Sequence, residues 1–432
     1  MEKAAESDKK SNKKWVSNIL TLIISFIILY ISLKHKKIIF FIIVIIISII
    51  IIIKIIFYIF NKKEKEKAIK AGFEEPWNPL YGDKILNVSY PKNNIIINTF
   101  KENGINYNKE IGNINNGEDY LRNERNTYNL FIPYSSLKNK DKYNGIILFI
   151  HGGAWVAGEK ENIEYLCTRY SKCGYITAEM NHTLLVEKFK GFNIFRILDD
   201  ITACIEDIKS ELKNRGFNEN KLELAIGGYS SGGHITLLYG YCIKNIPIPL
   251  KFLIDFVGPV TLDPKYWYKI KDNKSILENI EPEDIEKAFK EEKLIKVYED
   301  NILIGLMNAF LGKKYTEDEL KEMFEDKKIK ENNEKYKELF NAAKYGFPTT
   351  YINSNSVPTL CEYGGDDSVI GVCHYSILKE LSKKYGNKIV NVYMKNSGHF
   401  LNNLDNEDAL NSMREIHYQI LNFAKLYFTT EN

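Results

Sequence analysis

The sequence predicts an α/β protein: a mostly parallel central sheet with helices on both faces, an inserted helical cap and an N-terminal transmembrane helical hairpin. Three observations predict it. After Gly72, short apolar runs alternate with longer amphipathic stretches, as buried parallel strands alternate with their crossover helices. The alternation stops over 261–346, a block rich in Lys and Glu, and then resumes. Two long apolar runs precede all of this.

The apolar runs come first in the chain. Val16 to Leu33 carries no charge, and Ile38 to Phe60 carries only Lys54. Each is long enough to cross roughly 30 Å of hydrocarbon at about 1.5 Å per residue. Lys34-His35-Lys36-Lys37 alone joins them, so two spanning helices here form a hairpin. Lys54, two turns from the end of its run, can snorkel to the interface. A cleaved signal peptide would have one shorter apolar core and a small-residue cleavage site. A buried core helix would show a polar face. The expected layout is a basic tail over 1–14, spans over 16–33 and 38–60, a linker over 61–83, and a catalytic domain over 84–432. Lysines flank the hairpin on both sides. Positive-inside counting places both ends in the cytosol, in an integral membrane protein with the endoplasmic reticulum as a candidate membrane.

Charge follows the same division. Residues 1–72 hold 14 Lys against 5 Asp and Glu, a net of +9, so the overall +3 leaves −6 for the remainder. A nucleic-acid surface would carry its basic excess on the folded part, so no nucleic-acid partner is expected. The six cysteines form no CxxC pair and no zinc spacing, and reduced, mostly buried thiols are expected.

In the catalytic domain, strands are expected at Gly145 to Ile150, Tyr175 to Glu179, Glu223 to Ile226, Lys251 to Phe256, Thr359 to Tyr363 and Ile389 to Tyr393. Helices are expected at Glu161 to Lys172, Phe195 to Arg215, from His234 onward, Ser376 to Lys384 and Glu407 to Phe428. Within the block 261–346, Ile302 to Leu311 and Tyr266-Trp267-Tyr268 are apolar enough to pack the cap or wall a pocket. Glu317 to Glu338 reads as a solvated helical face.

Three loops carry chemistry. Gly228-Tyr229-Ser230-Ser231-Gly232 follows a buried strand and opens a helix, the setting in which a serine on a sharp strained turn becomes a nucleophile. His151-Gly152-Gly153-Ala154-Trp155 follows the first buried strand. Its small residues let backbone amides turn toward a substrate oxygen, with Gly152, Gly153 and Ser231 as the oxyanion donors. Gly364-Gly365-Asp366-Asp367-Ser368-Val369 and Ser397-Gly398-His399-Phe400 each follow a late strand. They supply an acid and a base in the order Ser, Asp, His. His399 would take the Ser230 proton and return it to the leaving group, while the acid holds the imidazole. No metal cluster or phosphate-binding loop is present, and this chemistry needs no cofactor.

On these segments the chain, from about Gly145 onward, resembles the α/β-hydrolases of the HGG-containing esterase group. That group includes hormone-sensitive-lipase-like enzymes, carboxylesterases, formamidases and prenylcysteine methylesterases. The resemblance implies that the acid is the last residue of a G-x-x-D stretch, Asp367, with Asp366 as the fallback. The double span combined with HGGAW is similar to the prenylcysteine methylesterases. The chain departs from the pattern at Ser231, where many relatives have Ala, and at Ala178 to His182, where relatives often read Asp-Tyr-Arg. Among the other histidines, His151 is expected to orient the oxyanion loop, His234 to be structural, His182 to serve a turn, and His374 and His417 to lie on helices.

The expectation is a membrane-anchored serine hydrolase that cleaves a lipophilic carboxylic ester, a lipid ester or a prenylcysteine methyl ester. Amide or formamide hydrolysis on the same triad is the rival reaction. A non-enzymatic membrane protein on a hydrolase fold is the rival class.

Overall fold

The computed structural model describes residues 77–90, 125–141, 143–185, 193–264, 302–312, 315–325, 328–365, 367, 369–371, 373–394, 397–399 and 407–428. They lie in a compact unit assigned to Pro76–Asn432. The two apolar segments expected to span a membrane lie outside the described residues. Among the described residues, no helix is long and apolar enough to cross a membrane.

The main sheet contains β1 (Gly82–Ser89), β2 (Thr127–Pro133), β3 (Ile146–Ile150), β4 (Ile176–Met180), β5 (Leu224–Tyr229), β6 (Leu250–Phe256), β9 (Thr359–Gly364) and β10 (Ile389–Met394). Their spatial order is β1-β2-β4-β3-β5-β6-β9-β10. From β4 to β10 neighbouring strands run parallel. β1 and β2 join antiparallel at one edge. All five residues of β3 are fully buried, as a strand covered on both faces must be. The strands expected from the apolar runs lie within three residues of their positions. The antiparallel pair was not expected. β1 begins at Gly82, inside the segment anticipated as linker.

Helices α2 (Glu164–Lys172), α3 (Ile194–Asn214), α4 (Ser231–Cys242), α8 (Cys373–Tyr385) and α9 (Glu407–Tyr427) accompany the parallel strands, and α1 (Tyr134–Lys138) follows β2. The α3 start is set by Asn193, whose side chain accepts from the amides of Phe195 and Arg196. Ile194, Ile197, Ile201, Ile205, Ile208 and Leu212 then recur on one buried face at helical spacing. The expected helix over Glu161 to Lys172 opens instead with a 3-10 turn, Lys160–Ile163, before α2.

The insertion between β6 and β9 contains α5 (Ile302–Phe310), α6 (Glu317–Lys321), a two-stranded ladder of β7 (Phe324–Glu325) and β8 (Lys328–Ile329), and α7 (Glu334–Ala343). The charged stretch Glu317 to Glu338 is therefore not one solvated helix. Leu320, Met323 and Tyr336 sit buried among its charges and fasten it to the body. The α6 start is a reciprocal capping box of Thr316 and Glu319. In α5, Leu303, Met307 and Phe310 are fully buried. The six cysteines are free thiols, four of them buried.

The core holds several ionisable groups out of water. Burial pushes the Glu179 carboxyl on β4 up to about 8, despite a 2.7 Å hydrogen bond from Asn129. Burial likewise pushes Asp255 up to about 7, and holds His234, His374 and His417 down at about 3. The signs oppose one another. As pH rises past about 4, the unfolded chain releases its carboxyl protons while the folded chain keeps those of Glu179 and Asp255. These two groups therefore destabilise the fold progressively up to about pH 7 and 8. The histidines act the other way, but only below about pH 6.5, where the unfolded chain takes up protons that the folded chain refuses. Between pH 6.5 and 8 the carboxyls act alone. We expect the melting temperature to be a few degrees lower at pH 8 than at pH 6.5, at roughly 1.4 kcal/mol per group per pH unit. Glu179→Gln should raise it at both pH 6 and pH 8, and by more at pH 8. Calorimetry giving the same shift at both pH values would contradict this account.

Candidate active site

The site forms at the carboxyl ends of β3, β5, β9 and β10, where open parallel sheets present their loops. Ser230 lies between the end of β5 and the start of α4 with φ 53° and ψ −120°, a conformation that costs a non-glycine residue about 1–3 kcal/mol. The surroundings impose it. The Ser230 amide donates to the Phe256 carbonyl at 2.8 Å. A Cβ at position 232 would collide with the Ile150 and His151 carbonyls, and one at position 233 with the Asp255 carboxylate. Only glycines let α4 begin this close to β3 and β6. Asp255 braces the turn from behind, accepting from the Gly258 amide at 2.9 Å and from the Tyr363 hydroxyl at 2.6 Å.

His399, in the loop after β10, joins Ser230 to Asp367. Its Nε2 lies 3.0 Å from Ser230 Oγ and its Nδ1 lies 2.9 Å from Asp367 Oδ2. Asp367 Oδ1 accepts from the amides of Val369 and Ile370, both at 2.8 Å, so the carboxylate cannot swing away. The Asp367 side chain is fully buried and that of His399 only 11% exposed. Asp366 lies outside the described residues. Tyr229, the variable residue of the serine motif, donates its hydroxyl to the His399 carbonyl and packs edge-on against the ring. Its role in seating the histidine loop was not anticipated, because a motif position free to vary gives no local signal.

The oxyanion loop follows β3. Gly153 has φ 126°, and Ala154 and Trp155 also sit in the left-handed region at 50° and 65°. The loop runs against the elbow, and a Cβ at position 152 would lie 3.1 Å from Ser230 Cβ. Ser231 is the first residue of α4 and is buried. Its amide is one of the N-terminal donors that a helix leaves unused, and the positive end of the helix faces the same spot. Gly152 and Ser231 thus lie beside Ser230, and Gly153 is the next residue of the oxyanion loop. His234, one turn into α4, accepts from Trp155 Nε1 at Nδ1 (3.1 Å) and donates from Nε2 to the Gly346 carbonyl (2.9 Å). It ties the oxyanion loop to the end of the insertion. His182 stacks on His151 with ring centroids 4.4 Å apart, which places it behind the oxyanion loop and not only at a turn. His374 lies on α8 and accepts from the Val260 amide at Nδ1 (3.2 Å), and His417 lies on α9 against the Tyr170 hydroxyl (2.7 Å).

Chemically, the arrangement can deprotonate Ser230 as it attacks and stabilise the resulting imidazolium through Asp367. It can also place backbone donors where a tetrahedral oxygen would carry charge. Among the described residues, no cluster of His, Cys, Asp and Glu could hold a metal.

Comparison with known proteins agrees with this fold. The BD-FAE family model matches residues 133–381, a span that runs from the end of β2 into α8 and includes the oxyanion loop, Ser230 and Asp367. A search of curated proteins finds no match. Among solved structures, Esterase B from Lactobacillus rhamnosis (HN001) is similar, with TM-score 0.52 and 11% identity, covering 86% of this chain and 94% of its own. A truncated carbohydrate esterase from gut microbiota has TM-score 0.49 and 16% identity, covering 80% of this chain and 98% of its own. At this identity the likeness to Esterase B concerns the fold. The family match covers more than half of the sequence, and the chain belongs to the BD-FAE family and has the α/β-hydrolase fold.

Proposed function

We propose that the protein is a carboxylic ester hydrolase working through an acyl-enzyme on Ser230. The observation that carries this reading is the hydrogen-bonded series Ser230–His399–Asp367, at 3.0 and 2.9 Å. Ser230 Oγ attacks the ester carbonyl as His399 Nε2 takes its proton. The tetrahedral oxygen is held by the amides of Gly152, Gly153 and Ser231. His399 then protonates the leaving alcohol, and a water molecule deprotonated by the same imidazole releases the acid. Esterase B, similar in fold, is an esterase by name.

The finer reading is that a hairpin over 16–33 and 38–60 anchors the enzyme in a membrane, and that the substrate is lipophilic, a lipid ester or a prenylcysteine methyl ester. Its support is the doubled apolar sequence before Gly72 and the apolar α5 of the insertion, whose Phe310 packs on Trp155 of the oxyanion loop at 5.1 Å. A panel of esters of increasing chain length, with the matching amides, tests it. We expect kcat/KM to rise with acyl or alcohol chain length and ester turnover to exceed amide turnover. A preference for short water-soluble esters would remove the lipophilic substrate, and a preference for amides would favour amidase chemistry.

A further inference from the structure

The oxyanion loop is strained, with left-handed backbone at Gly153, Ala154, Trp155 and Gly158, and something must hold it. Arg125, two residues before β2, touches both of its ends. Its Nη2 lies 3.0 Å from His151 Nε2 and donates to the Gly158 carbonyl. Its Nη1 donates to Glu159 Oε1 at 2.8 Å, and its Nε donates to the His182 carbonyl at 3.0 Å. The planar fork of a guanidinium can serve these partners together, whereas an ammonium cannot.

The His151 contacts fix a tautomer. His151 Nδ1 lies 2.7 Å from the Gly152 carbonyl. A carbonyl only accepts, so Nδ1 carries the proton and Nε2 keeps the lone pair that receives Arg125. The ring is buried, and burial with the neighbouring His182, Arg125 and Lys160 holds it well below the usual histidine range. It stays neutral, as this arrangement requires. In a trans peptide the C=O and the following N–H point in opposite directions. Pinning the Gly152 carbonyl to His151 therefore turns the Gly153 amide away from that ring.

We propose that Arg125 is a positioning residue for the oxyanion hole: acting through His151, it sets the Gly152–Gly153 peptide so that the Gly153 amide meets the developing oxyanion. Here a guanidinium reaches the oxyanion loop from the start of β2. The inference rests on the serine-hydrolase reading of the site.

The test is steady-state hydrolysis of p-nitrophenyl acetate by the full chain and by its Arg125→Met, Arg125→Lys, His151→Leu and Arg125→Met/His151→Leu variants. Melting temperatures identify the folded proteins. We expect Arg125→Met and Arg125→Lys to lower kcat by 10- to 100-fold with KM changed less than threefold, and the rate of fluorophosphonate labelling to fall in parallel. The double variant should lose no more than the worse single one, because both act on the same peptide. A folded Arg125→Lys with kcat within threefold of wild type overturns the proposal, as do additive losses in the double variant. A wild type that hydrolyses no ester removes the hydrolase reading instead, and the proposal with it.

Discussion

Replacing Ser230 with Ala should lower kcat by roughly 10⁶-fold and leave the fold intact. The size follows from the geometry. Ser230 Oγ is the atom at hydrogen-bond distance from His399 Nε2 (3.0 Å), and removing it deletes both nucleophile and proton donor. Its neighbour cannot replace it. Ser231 is buried inside the first turn of α4 and offers its backbone to the site. Turnover remaining above the rate in water, about 10³-fold, would come from the oxyanion donors and substrate binding alone. The Ala variant should be about as stable as wild type, because Ala carries the same Cβ at φ 53° and the hydrogen bond lost, to His399 Nε2, is only partly buried. Kinetics and melting temperature measured on the same preparation check both statements.

Replacing Asp367 with Asn should lower kcat by about 10⁴-fold with little change in KM. The substitution is close to isosteric, and its remaining oxygen can still accept from the amides of Val369 and Ile370, so the loop should stay in place. What changes is the group facing His399. The carboxylate oxygen 2.9 Å from Nδ1 is an acceptor and requires the proton on Nδ1. An amide NH₂ there is a donor and drives the proton to Nε2, where it faces Ser230 and blocks general-base catalysis. An Asp367→Asn variant retaining a tenth of wild-type kcat would show that another group holds His399.

The parallel core was legible because its strands are buried on both faces and so are written as unbroken apolar runs, as Ile146–Ile150 is. β1 was not, because an edge strand with one wet face mixes Asp83, Lys84 and Asn87 among its apolar residues, and its pairing with β2 spans a long sequence gap. The described part of the insertion was legible as helical, but its β7–β8 ladder is too short to leave a pattern. Ser230, His399 and Asp367 could be found because each follows a strand on a loop rich in small residues. Arg125 and Tyr229 could not. They act on backbone carbonyls far along the chain, Gly158 standing 33 positions after Arg125 and His399 standing 170 after Tyr229, and nothing near either residue in sequence marks the contact. The departure at Ala178 to His182 was visible as an oddity. Its physical content, a His182 ring stacked behind His151 and a carbonyl accepting from Arg125, required the fold.

The central claim is that Ser230 is an activated nucleophile. The most direct measurement is labelling of the full chain with a fluorophosphonate probe, read by mass spectrometry of the peptide that carries Gly228 to Gly232. The account predicts one adduct, on Ser230, absent from Ser230→Ala and strongly slowed in Asp367→Asn. A folded wild type that takes up no probe, or takes it up on another residue, would contradict it.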